Sequence, residues 1–274
     1  MVFFLPQFIP DLLQVFPFVW AFCVLCAKPL RAHPLAFYLP WTAIVAGATA
    51  ASMGGFDSTR AAIPLLDTFL NLTSSAVAGV SFYLIVMFIG AMQRGPMVKK
   101  LYSIRSEMSV LGGIIIAAHC VRVLPYLLVF TSQTVFQAFG QVGGWFMFFA
   151  SGVAGVPLML CFLVPWITSF SCVRKRMSGE AWRKVQKLAY PMMALMVAQG
   201  VLLAVGHALA GYPFADQSAL YRIVASPASY VMSLAKYVAT AWLYGGIGVA
   251  YAYLRATRDK RMALGTASRR VDAE

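Results

Sequence analysis

His119 and Arg122 stand one helical turn apart inside an apolar run, Lys236 stands inside another, and Asp67 and His207 lie near the ends of two more. A charge held at membrane depth costs about 3 kcal/mol or more unless it is paired or hydrated, so each of these groups needs a reason to be there. Two readings of the cluster stay open. In one, the groups line an outward-facing polar pocket that accepts a cofactor carboxylate, a quinone or another small ligand. In the other they are structural, with Arg122 or Lys236 neutralised by Asp67 or reaching outward along its own stem.

The elements that must position them are membrane-spanning helices. The 274 residues are 61% hydrophobic and 11% charged, with a mean hydropathy of +0.75, too apolar for an ordinary soluble domain. A span needs about 20 mostly apolar residues. Stretches near 7–27, 36–54, 63–92, 105–130, 142–170, 187–211 and 225–255 meet that need. Backbone groups in lipid must be satisfied within each segment, and strict period-two alternation is missing, so the expected fold is an all-α polytopic bundle of about seven transmembrane helices.

The net charge of +13 serves orientation rather than nucleic-acid binding. Lys28 and Arg31 follow the first span, and Arg94, Lys99, Lys100 and Arg105 follow the third. Arg174, Lys175, Arg176, Arg183, Lys184 and Lys187 follow the fifth, and Arg255, Arg258, Lys260, Arg261, Arg269 and Arg270 follow the seventh. Only Arg60, Arg122, Arg222 and Lys236 fall elsewhere. Positive loops face the cytoplasm, which places the amino terminus outside and the carboxyl terminus inside, in the plasma or inner membrane. On that topology Asp67, Arg122 and His207 lie within about 10 Å of the outer boundary, and His119 and Lys236 near about 15 Å.

Residues 1–255 therefore form one transmembrane domain, followed by a basic cytoplasmic tail, 256–274, whose composition argues disorder. No basic residue precedes the first apolar run and no cleavage site follows it, so that segment is expected to stay. Cys23 and Cys26 sit inside a span and read as packing residues. Phosphate loops, zinc spacings and nucleophile elbows are missing, as are nicotinamide and flavin motifs, so such a cofactor would sit on another chain.

The most distinctive local pattern is Pro165 with Thr168 and Ser169, a basic loop through Arg174, Lys175 and Arg176, and then Trp182, Gln186, Leu188 and Tyr190. Upstream, Arg105 precedes His119 by fourteen residues. This order resembles the ferric reductase-like transmembrane domain family, most nearly the heme-binding membrane subunit of bacterial methionine sulfoxide reductase systems, over roughly residues 65–255. In that family the later block reads W-x-x-L-H-x-L-x-Y, and a heme-ligating histidine follows an arginine pair at the spacing His119 keeps.

The resemblance implies b-type heme held between helices, a quinone or redox protein as one electron partner, and a separate oxidoreductase subunit as the other. It also implies a departure. Where the family has two histidines on the later helix, this sequence has Gln186 and Gln199. A glutamine amide is a weak ligand for heme iron. His119 is the candidate iron ligand that remains, His207 a weaker one displaced by about 12 Å along its helix from Gln199, and Arg122 a partner for a propionate. Three functions follow: an electron-transfer subunit with heme b, a heme-free anchor or quinol-contacting subunit, and a small-solute transporter or receptor that uses the outer pocket.

Overall fold

Long apolar runs punctuated by prolines at their starts make this chain a set of helices, because Pro fits the first helical turn and stops any helix that precedes it. The computed structural model describes residues 8–54, 63–129, 133–210 and 226–271. All regular structure among them is helical. In chain order the helices are α1 (Asp11–Leu25), α2 (Ala27–Ala32), α3 (Pro34–Met53), α4 (Pro64–Ser74), α5 (Ala76–Ala91), α6 (Pro96–Tyr102) and α7 (Arg105–Val129). Then come α8 (Gln133–Phe148), a π-helical stretch (Phe149–Gly155), α9 (Val156–Ile167), α10 (Ser171–Arg174), α11 (Gly179–Gln186), α12 (Ala189–Ala210) and α13 (Pro227–Val271).

Four of these stretches are long and apolar enough to cross a membrane: Pro34–Met53, Arg105–Val123, Val142–Ile167 and Gly179–Ala210. A fifth arises if the bent pair Leu65–Ser74 and Ala76–Ala91 is one span. Large apolar side chains such as Leu25, Leu65, Val249 and Trp242 point outward, as lipid-facing side chains do.

Helix α5 is the axis of the bundle. It is buried on nearly every side from Ala78 to Ala91, the signature of a helix apolar all round. On one flank Phe82 and Ile85 meet Val15, Val19 and Cys23 of α1 and Met108, Leu111 and Ile115 of α7. On the other, Tyr83, Leu84 and Met87 meet Phe162 of α9 and Met192, Met193 and Met196 of α12. The α5–α7 crossing depends on two glycines. A Cβ on Gly79 would lie 3.2 Å from the Gly112 carbonyl, and one on Gly112 would lie 3.3 Å from the Gly79 carbonyl, so the backbones touch where a larger residue would part them.

One expectation needs correction. The segment 63–92 is not one tilted helix but two, bent by 41° at Ser75. Thr73 and Ser74 hydroxyls bond back to the carbonyls of Phe69 and Leu70, Ser75 is extended, and its hydroxyl caps the new helix at the Ala78 amide. The last described helix, α13, runs on to Val271, with an Arg255–Asp259 ion pair at i,i+4.

Candidate functional site

Helical spacing gathers one face from each of several helices around a cavity of about 280 Å³. From α7 come Ile116, His119 and Val123, and from α12 come Met192, Met196, Gln199 and Leu203, both sets at three- and four-residue steps. Ser151 and Gly155 of the π-helical stretch form another wall. Single π turns are uncommon and concentrate at functional sites, where they re-aim side chains.

The cavity is mostly apolar, with a few polar groups set into it. Tyr83 is committed elsewhere, donating its hydroxyl to the Ser109 carbonyl at 3.0 Å. Among the described residues the His119 imidazole and the Gln199 amide have no hydrogen-bond partner, and both line the cavity. Two glycines shape it. A Cβ on Gly155 would lie 3.0 Å from Gln199 Nε2, and the Tyr244 ring packs flat on Gly200, at 2.5 Å from where a Cβ would stand. Gln199 and Tyr244 thus occupy space that side chains on these glycines would take. An apolar pocket with a few convergent polar groups is the usual form of a small-molecule site.

Of the sequence-predicted residues, the structure brings His119 and Gln199 to this one cavity and distributes the others. His207 is packed between Phe139 and Tyr237, edge-on to the first and stacked on the second at 5.0 Å between centroids. Its Nδ1 lies 2.8 Å from the Leu203 carbonyl; a carbonyl only accepts, so Nδ1 carries the proton. His207 does not line the cavity of His119. Gln186 donates to the Pro165 carbonyl and the Thr168 hydroxyl at 3.4 and 3.3 Å. It closes the end of α9 beside a small cavity of about 40 Å³ that also holds Arg105.

Arg122 donates from Nη2 to the Ser74 carbonyl at 3.0 Å, and Trp41 Nε1 donates to the Thr73 carbonyl at 2.9 Å. These are the last carbonyls of α4, freed by the break at Ser75 and satisfied by side chains of two other helices. The positive guanidinium also suits the negative end of that helix. Asp67 accepts from Asn71 at 3.0 Å. Lys236 bonds Asp11, not Asp67, at 2.8 Å, joining the first and last of the described helices. Sequence reasoning missed Asp11, although it is the one acidic residue in the first apolar segment; it also missed Cys120 and Tyr244, which line the cavity and carry no sequence signal beyond an apolar context.

The resemblance raises heme, and the residues present do not fit it. The cavity lining offers one imidazole, His119, and the amide of Gln199 where a second imidazole would be needed, and an amide is a weak ligand for heme iron. Pockets for drug-sized ligands run from roughly 300 to 1,000 Å³, and this cavity has about 280 Å³. Arg122, the expected propionate partner, is turned to the broken helix.

No family model matches the chain, and no solved structure matches it. It is similar to an uncharacterized protein of Treponema pallidum (strain Nichols), with 22% identity over 214 residues. The alignment covers 77% of this chain and 57% of that protein, so the chain spans a little over half the length of the relative.

Proposed function

We propose that this protein is a seven-span membrane subunit of the ferric reductase-like kind that binds a quinone head group and works in electron transfer with a separate oxidoreductase subunit. Its amino terminus is outside and its carboxyl terminus in the cytoplasm of the plasma or inner membrane. The observation that carries the reading is the pairing of His119 with Gln199. The two positions match the family's ligand histidines on the fourth and sixth spans, and they share one intramembrane cavity with both polar groups unpartnered among the described residues. The seven apolar segments each contain helix, and basic residues follow every second one, which supports the topology.

A quinone bound here supplies two-electron, two-proton chemistry. His119 would hold one ring oxygen through its imidazole and Gln199 the other through its amide, while Met192, Met196 and Phe162 exclude water from the ring. With the heme ligands replaced, the redox centre that exchanges electrons with the quinone belongs to the partner subunit.

Purified protein in detergent, titrated with a short-chain quinone and followed by tryptophan quenching, tests this. His119→Ala and Gln199→Leu should each weaken binding by about three- to tenfold, the worth of one hydrogen bond, with an absorption spectrum that lacks a Soret band. Unchanged affinity in both variants would overturn the quinone site. A stoichiometric Soret band that disappears in His119→Ala would replace it with a heme site.

A further inference from the structure

At the opposite end of α5 from its break, the chain builds a second site of a different character. The helix ends at Ala91, the link through Met92 and Gly95 turns back into α6, and α13 passes alongside. Between them lies a cleft of about 450 Å³ lined by Arg94, Arg258 and Arg261 together with Gln93, Thr257 and Tyr102. Arg258 and Arg261 are three residues apart on one face of α13, and Arg94 reaches the same cleft from a part of the chain more than 150 residues earlier.

Two of the guanidinium groups are held in place without being neutralised. Arg94 lies over the Tyr102 ring at 4.9 Å from its centroid, a contact that orients the cation and leaves its N–H groups available. Arg258 donates to the Gly90 carbonyl, near the C-terminal end of α5. Arg105 also approaches this turn, over the Tyr102 ring at 5.8 Å from its centroid. Among the described residues no carboxylate lines the cleft, and none lies within ion-pair distance of Arg94, Arg258 or Arg261. The nearest acid on α13, Asp259, is taken by Arg255. Three like charges brought together repel one another, and an anion in the cleft relieves that repulsion. Arg forks match the oxygens of a phosphate group two at a time.

We infer that this cleft binds an anionic phosphate group, carried either by a phospholipid headgroup or by a soluble phosphorylated molecule. Its position at the basic end of the bundle, where spans meet the headgroup layer, suits the first source. Its volume and polar lining suit either. Arg258 also secures the end of α5, whereas Arg94 and Arg261 are exposed, so these two can be changed without unlatching the fold.

The test uses the full chain, delipidated in a neutral detergent. Binding of phosphatidylglycerol is measured by native mass spectrometry, with and without inorganic pyrophosphate as competitor, for the unaltered protein, Arg94→Gln/Arg261→Gln and a control, Lys175→Gln/Arg183→Gln, at the same end of the bundle. The cleft variant should bind phosphatidylglycerol about fivefold more weakly per arginine removed, and the control should be unchanged. Lipid binding that resists pyrophosphate identifies a headgroup site, and displacement by pyrophosphate identifies a soluble phosphate site. Arg261→Gln alone, which removes a side chain with no ion-pair partner among the described residues, serves if the double variant does not fold. Equal binding by the cleft variant and the unaltered protein, or an equal loss in the control, would overturn the inference.

Discussion

Replacing Lys236 by Met should destabilise the protein by about 2 kcal/mol, and removing Asp11 as well should restore most of the loss. The two side chains meet at 2.8 Å and tie α1 to α13 across nearly the whole length of the chain. Breaking a fully buried ion pair costs about 3–5 kcal/mol, because one charge stays behind without its partner. Losing an exposed pair costs at most about 1 kcal/mol. Lys236 and Asp11 keep 24% and 26% of their side-chain exposure, which places this pair between the limits. Asp11 is also the first residue of α1, where the helix dipole favours a negative charge and softens the loss of the lysine. For a chain of this size about 2 kcal/mol corresponds to a fall of roughly 4–8 °C in Tm. Thermal unfolding in detergent, read by tryptophan fluorescence, would follow Lys236→Met, Asp11→Leu and the double variant. The expected coupling between the sites is about 1–2 kcal/mol, with the double variant within about 1 kcal/mol of the unaltered protein. A double variant that loses the sum of the two single changes would refute the pairing argument, since independent sites add.

Two further outcomes concern the backbone. Arg122→Leu removes the donor to the Ser74 carbonyl at the break in the third apolar segment and should cost about 1–3 kcal/mol, the price of a buried acceptor left unmade; a Tm equal to that of the unaltered protein would mean that water or another group satisfies the carbonyl. Gly113 lies against the Trp166 indole so closely that a Cβ would overlap it, so Gly113→Ala should displace the ring, cost about 1–3 kcal/mol in thermal unfolding and weaken the indole bond to the Val110 carbonyl. Gly47→Ala, with nothing near its Cβ and a place inside α3, should hold Tm or raise it by the roughly 0.5–1 kcal/mol that Ala gains over Gly in a helix, and is the matched control.

Much of the site was legible as helix positions rather than as contacts. His119 could be placed at a depth, and His207 at a distance along its helix from Gln199, because rise per residue converts sequence distance into height. That they share a cavity depends on which faces α7 and α12 turn toward each other, and apolar residues lie on every side of both helices, so no hydrophobic stripe in the sequence marks the inner face. The same ambiguity hid Cys120 and Tyr244.

The sequence by itself determined that the chain is helical and apolar enough for lipid, because backbone hydrogen bonds in hydrocarbon must close within each segment and composition is a local property. It also determined which loops carry the positive charge. Only the tertiary structure decided who neutralises whom. Lys236 takes Asp11 rather than Asp67, Arg122 takes the freed carbonyl of Ser74, and His207 takes a place between aromatic rings. The break at Ser75 belongs to both levels. Thr73, Ser74 and Ser75 supply hydroxyls that compete with the helix, and Trp41 and Arg122, more than thirty residues away on either side, arrive to satisfy the carbonyls that the bend exposes.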